Sequence, residues 1–319
     1  LHAVNFGGGT PSALTVEQVG RLLESITSRF GLVAGAEVSI EANPEDWSED
    51  YASGLRAVGV NRVSLGIQSF DDQVLRMLGR EHTAEQATQA VNNARTAEFR
   101  VVSLDLIFGT PGESLSSWRT TVNKALDLGT ENLSAYALTV ERGTALSRAV
   151  AEGAPEPVDD DQADKYELLQ DAVAGRLGHY EISNWATPGN MCRYNLTTWA
   201  QGEYVAFGLG AHSHRNEIRR RNVRRLDVYL DMVERGDRPE AGRETLSAWE
   251  KDKERVFLGL RRRAGVTMGT AGKQFLDSDY GQQLLKSGVV VCEDDRLVVA
   301  KPLLSDAVAR EVLALQPPR

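Results

Sequence analysis

The feature that most restricts what this chain can fold into is an alternation. Through its first half, short β-rich runs of period two change places with longer stretches whose apolar residues recur every three or four positions. A period of two lines one face of a strand, and a spacing of three to four lines one face of a helix. Ala36–Ala42, Asn61–Gln68, Arg100–Phe108 and Asn132–Leu138 read as strands; Val16–Phe30, Asp50–Val58, Ala84–Phe99 and Ser114–Leu128 read as helices. Such a repeat needs crossover connections, so a parallel sheet is expected, either doubly wound or barrel-like. With 319 residues, 41% of them hydrophobic, the chain is long enough for a barrel-sized domain and a smaller second one.

The opening residues carry the first functional signal. A short strand, Leu1–Phe6, runs into Gly7-Gly8-Gly9-Thr10-Pro11-Ser12, followed by a helix capped by Thr15. Three glycines permit positive φ and let a ligand approach the backbone closely. In isolation such a run is more often a tight turn. In a barrel, however, the strand ends face the site, and polar residues recur there. Glu41 and Asn43 end the second strand; Ser64, Gln68 and Ser69 lie at the third; Asp105 is on the fourth; Tyr136 and Thr139 belong to the fifth; Arg80 follows a short helix. This set suits one polar ligand carrying an amine, a carboxylate and hydroxyls. A strand-end carboxylate such as Glu41 also commonly caps the next helix. Asp105 lies in an apolar strand, where a carboxylate is costly unless paired; Arg80 is the expected partner.

Composition narrows the function classes. A net charge of -9 argues against general binding to nucleic acid or anionic membranes. No apolar run is long enough to span a bilayer and no signal peptide is visible, so a cytoplasmic protein is expected. Position 1 is Leu and the first strand starts at once, which reads as a fragment or a processed chain. The two cysteines, Cys192 and Cys292, read as free thiols, and a [4Fe–4S] cluster normally needs closely spaced ones. No metal site is expected within the chain.

Beyond Thr144 the pattern changes. An acidic helix, Asp161–Leu177, leads to a strand at Tyr180–Trp185 and then to Cys192-Arg193-Tyr194-Asn195. His212 and His214, two apart on an extended segment, are expected to point the same way. Arg219, Arg220, Arg221, Arg224 and Arg225 form either a solvated basic face or a carboxylate-binding one. Arg235–Pro239 reads as a linker; helices and a hairpin at Gly288–Ala300 follow, a winged-helix-like pattern.

Ordered blocks then carry a resemblance: GGGTPS, SIEANPE (39–45), NRVSLGIQSF (61–70), LGREH (78–82), DLIFGTPGES (105–114), SAYALTVERGT (134–144), YEISNWA (180–186) and FGLGAHSH (207–214). Together they resemble the radical SAM proteins of the oxygen-independent coproporphyrinogen III oxidase-like family, in particular its HemW-like heme chaperone branch. The resemblance implies an α/β fold, a partial (β/α)6 TIM-like barrel lacking its first strand, and a small C-terminal winged-helix-like domain. The expected divisions are 1–217 for the barrel and a heme-associated region, 218–240 for a linker and 241–319 for the C-terminal domain. It implies S-adenosylmethionine (SAM) and a [4Fe–4S] cluster whose cysteine loop would precede Leu1. Gly8, Gly9 and Thr10 would contact the methionine part, Glu41 and Gln68 the nucleoside hydroxyls, and Arg80 the carboxylate. Asp105, with Thr139, would complete the pocket.

Heme is the implied cargo, delivered to heme-accepting proteins, with membrane association only through an acceptor. The family's CRHNxxYW stretch has Tyr194 here in place of His and Thr198 in place of Tyr, so Tyr194, His212 and His214 are the candidate heme ligands. Anaerobic coproporphyrinogen III oxidase chemistry and a cofactor-free binding domain remain the alternatives, and whether the chain is an enzyme stays open.

Overall fold

The computed structural model describes residues 1–318 and divides the chain into two compact units, Leu1–Arg193 and Tyr194–Arg319. The first unit opens with β1 (Ala3–Phe6), α1 (Val16–Phe30), β2 (Glu37–Ala42), α2 (Glu49–Ala57) and β3 (Arg62–Gln68). Next come α3 (Asp72–Met77), α4 (Ala84–Thr96), β4 (Val101–Phe108), α5 (Leu115–Asp127) and β5 (Asn132–Ala137). It closes with α6 (Ala145–Ala151), α7 (Asp159–Val173), β6 (Gly178–Glu181) and β7 (Asn184–Ala186). The strands form one curled sheet in the order β1-β2-β3-β4-β5-β7-β6. Neighbours from β1 to β5 run parallel, while β7 pairs antiparallel with β5 and β6. The result is a half-barrel. The single strand expected at Tyr180–Trp185 is instead this β6–β7 hairpin, turning at Ile182 and Ser183.

Period two decides what each face of the sheet does. Val38 and Ile40, Val63, Leu65 and Ile67, Leu104 and Leu106, and Leu133 point into one core shared with the helices. At about 1.5–3 kcal/mol for each fully buried large aliphatic side chain, this face dominates the unit's stability. The alternate residues are polar: Ser39 and Glu41, Arg62 and Ser64, Ser103 and Asp105, Asn132 and Ser134. Pairing makes them tolerable inside the curl. Arg62 lies 3.5 Å from Glu37, Asn132 donates to Ser103 at 2.9 Å, and Ser134 donates to Asn184 at 2.7 Å. Helices α1 to α6 begin on side-chain caps. Thr15 and Gln18 form a capping box at α1, and Thr83 and Gln86 form one at α4.

The second unit holds α8 (Arg193–Trp199, begun by the last residue of the first unit), β8 (His212–Arg215), β9 (Ile218–Asn222), α9 (Leu226–Glu234) and β10 (Glu240–Thr245). It continues with α10 (Ala248–Gly259), β11 (Val266–Thr267), α11 (Gly269–Asp277), α12 (Asp279–Lys286), β12 (Val290–Glu293), β13 (Arg296–Val299) and α13 (Ser305–Ala314). One antiparallel sheet has the order β10-β9-β8, the other β11-β13-β12. The second sheet packs with α10, α11 and α13 around Val256, Phe275, Val290, Leu297 and Val312, matching the winged-helix-like expectation. Residues 218–240, expected as a linker, are instead a strand, a helix and the start of a second strand, and the units divide after Arg193 rather than at 217. Among the described residues no helix is long and apolar enough to cross a membrane.

Candidate functional site: a polar cleft at the strand ends

A cleft of about 200 Å³ opens at the C-terminal ends of β1 to β4, lined by Gly9, Thr10, Glu41, Gln68, Arg80 and Asp105 among others. These residues lie 96 positions apart in sequence at the extremes, and the parallel register brings them together. The turn after β1 is bare by necessity. A Cβ on Gly7 would lie 2.6 Å from Glu41 Oε1 and 2.7 Å from Asn5 Nδ2. Gly8 and Gly9 take φ of +75° and +62°, which side-chain-bearing residues rarely adopt. That conformation lets the Gly8 N–H donate to Glu41 Oε2 at 3.2 Å and holds the carboxylate at the cleft mouth.

Gln68 ends β3 with a left-handed φ of +64°, where the β3–β4 register slips between Leu65 and Gln68. Its amide folds back over Gly66, where a Cβ would lie 2.8 Å from Gln68 Nε2. Arg80 reaches Asn43 Oδ1 at 3.4 Å, and Asn43 is tied in turn through its N–H to Ser12 Oγ at 3.4 Å. The guanidinium is therefore aimed along the second strand's end rather than at Asp105.

Asp105 corrects the expected pairing. No ion pair joins it to Arg80 among the described residues; Ser64 Oγ donates to its carboxylate, 2.9 Å from each oxygen. Burial pushes the carboxyl up to about 6, the hydroxyls of Ser134 and Ser64 pull it back, and the Glu41 carboxylate pushes it up again. Two further expectations change. Ser69 is buried outside the cleft, 3.2 Å from Thr121 Oγ1 and accepting from the Asp71 N–H at 3.1 Å, so it is structural. Thr139 is exposed and donates to the Ala137 carbonyl at 3.3 Å; it does not line the cleft. Ser64, Gly66 and Ser12 do line it. In sequence Ser64 stands out as a polar residue at the end of the third strand, Ser12 closes the glycine-rich opening run, and Gly66 is marked only by its place in the NRVSLGIQSF block.

In the second unit, α8 carries Tyr194 at 37% exposure. His212 and His214 lie on the same side of β8 but differ in environment. His214 is buried with Nδ1 3.1 Å from the Gly202 carbonyl oxygen, while His212 is exposed. Cys192 is buried, with its Sγ 3.7 Å from Glu37 Oε1, and Cys292 is exposed; no disulfide joins them. Among the described residues no group of three or more His, Cys, Asp or Glu is placed to hold a metal.

A sequence model of the Radical SAM superfamily matches residues 1–125, the stretch that builds β1 to β4 and this cleft. Coproporphyrinogen III oxidase (HemN) from Escherichia coli, described as a radical SAM enzyme, superimposes with a TM-score of 0.78 over 98% of this chain and 77% of that one. At 23% identity that likeness speaks for the fold. The half-barrel with its strand-end cleft is thus that of a radical SAM protein. Similarity in sequence is narrower: the chain is 40% identical over 318 residues to the heme chaperone HemW of Mycobacterium tuberculosis (strain H37Rv), covering 98% of this chain and 81% of that protein. HemW of Bacillus subtilis (strain 168) is 34% identical over 287 residues, covering 89% and 74%. The chain belongs to the HemW-like heme chaperone family of radical SAM proteins.

Proposed function

We propose that the chain binds SAM and carries heme, which it passes to acceptor proteins. The observation that carries the first half is the composition of the cleft. SAM presents an ammonium, a carboxylate, a sulfonium and a nucleoside with two hydroxyls. The cleft offers a carboxylate held by a glycine turn, a guanidinium, a buried amide and a second carboxylate, so the donor and acceptor types match. Gly8, Gly9 and Thr10 receive the methionine part, Glu41 and Gln68 the hydroxyls, and Arg80 the carboxylate, which a planar guanidinium grips with two parallel hydrogen bonds. Asp105 closes the base of the pocket and, when ionised, adds attraction for the sulfonium. SAM bound beside an iron–sulfur cluster supplies radical chemistry in this class. The described residues do not provide a ligand set for such a cluster.

The heme half rests on the relatives, which are heme chaperones, and on the candidate ligands Tyr194, His212 and His214 in the second unit. The test of the cleft is calorimetric titration of SAM into wild type, Glu41→Ala and Arg80→Ala. Each substitution is expected to weaken binding by roughly 1.5–3 kcal/mol, the usual range for a lost hydrogen bond to a charged group. Unchanged affinity in both variants would remove the assignment.

A further inference from the structure

Resting on the heme reading above, we propose that heme docks on the open end of the β8–β9–β10 sheet. His212 meets the iron, Arg221 and Arg224 hold the propionates, and Leu209 and Leu226 lie against the ring.

The register sets the geometry. His212 pairs with Arg221 across β8 and β9, and Arg221 with Gly242 across β9 and β10. Directly paired residues of an antiparallel ladder share a face, and so do residues two apart along a strand. One face therefore presents, in order, His214 with Arg219 and Glu244, then His212 with Arg221 and Gly242. The first row is closed: Arg219 forms ion pairs with Glu244 and with Glu254 of α10, and His214 is buried against Gly202. The second row is open. His212 and Arg221 are both exposed, and Gly242 adds no side chain; the Arg221 guanidinium lies across it, its Nε 3.2 Å from where a Cβ would stand.

The residues around this row fit one kind of ligand. The loop Gly208–Gly210 is fastened to the end of β9: Gly210 N–H donates to Val223 O at 2.8 Å and Asn222 Nδ2 to Gly208 O at 2.8 Å. It holds Leu209 out at 46% exposure, and Leu226, which opens α9 three residues past Val223, is 60% exposed. Arg224 packs its stem 3.6 Å from the Cβ position of Gly210. In this arginine run, Arg219, Arg220 and Arg225 are all ion-paired. Arg221 and Arg224 have no ion pair, and His212 no hydrogen bond, among the described residues. An uncommitted imidazole, two uncommitted guanidinium groups and exposed aliphatic side chains complement a flat apolar macrocycle with a ligand-seeking iron and two carboxylates. The same chemistry sets His214 aside, because one of its ring nitrogens is engaged and the ring is enclosed.

The test titrates hemin, and separately hemin dimethyl ester, into the whole chain while following the Soret band. Wild type is expected to bind one hemin with the spectrum of a histidine-ligated heme. His212→Ala should weaken binding about ten-fold or more and change that spectrum, with added imidazole restoring it. The double substitution Arg221→Gln and Arg224→Gln should weaken hemin by a similar factor and leave the dimethyl ester unaffected. All of these residues are exposed, so far-ultraviolet circular dichroism should be unchanged; Tyr194→Phe should behave as wild type. If Tyr194→Phe alters spectrum and affinity while His212→Ala does not, the site is overturned and the heme reading stands. If wild type takes up hemin only without saturation at one equivalent, both fall.

Discussion

Asp105 shows how a single residue can be pulled in two directions. Its carboxyl sits near 6 rather than near its ordinary 3.8, chiefly because burial disfavours the charged form. A raised carboxyl stabilises the fold fully only below the unfolded value, and that contribution is lost as pH rises through the folded value near 6. At neutral pH the native state therefore carries a costly charge, retained where a cationic ligand would use it. Asp105→Asn is expected to raise the urea midpoint at pH 7.5 and to lose that advantage at pH 3.5, while weakening SAM binding at pH 7.5. Equal midpoints for the two proteins at both pH values would show that the charge carries no such cost. The sequence exposed the oddity of a carboxylate in an apolar strand, but not its partner. Arg80 was the nearest cation by motif, yet the side chain that reaches Asp105 is Ser64, one strand away in the sheet. Likewise Ser69 stands beside Gln68 in sequence and turns away from the cleft, because a strand's end reverses direction within one residue, and Thr139 lies past the end of β5, away from the cleft lining.

At the scale of elements, helices were easier to read than sheets made of charge. The α1 range agrees with its apolar spacing because a capping box fixes the start and Gly31 follows the end. Thr15→Ala is expected to cost about 1 kcal/mol, read as a lower urea midpoint with an unchanged slope. No loss would mean that the packing of Val19 and Leu23 alone sets that helix. By contrast β9 reads Ile-Arg-Arg-Arg-Asn and β10 Glu-Ala-Gly-Arg-Glu-Thr, with no apolar alternation to find. Their pairing rests on backbone bonds and cross-strand ion pairs such as Arg219–Glu244 and Arg220–Glu240. For that reason β9, followed by the Gly and Pro of 235–239, reads in sequence as part of a linker over 218–240, and β10 as the unmarked start of the C-terminal domain. The β6–β7 hairpin was missed on similar grounds: each arm is too short to show its own period.

Across the whole molecule, charge is divided as unevenly as the ligands proposed for it. The first unit has 15 Lys and Arg against 27 Asp and Glu, whereas the second has 21 against 18. SAM carries a net positive charge through its sulfonium, and heme a negative one through its propionates, so each ligand is assigned to the unit of opposite sign. A field of this kind acts over the screening length, which falls from ~30 Å at about 0.01 M ionic strength to ~8 Å at about 0.15 M. SAM binding is therefore expected to weaken across that range by more than binding of S-adenosylhomocysteine. The latter keeps the amine, carboxylate and nucleoside but lacks the sulfonium charge, so contacts made by Glu41, Gln68 and Arg80 are common to both. Titrating the two ligands calorimetrically at both ionic strengths isolates the charge of the sulfonium from those contacts. Parallel salt dependence would mean that the acidic balance of the first unit does not reach the cleft, and that Glu41 and Asp105 act only through direct hydrogen bonds.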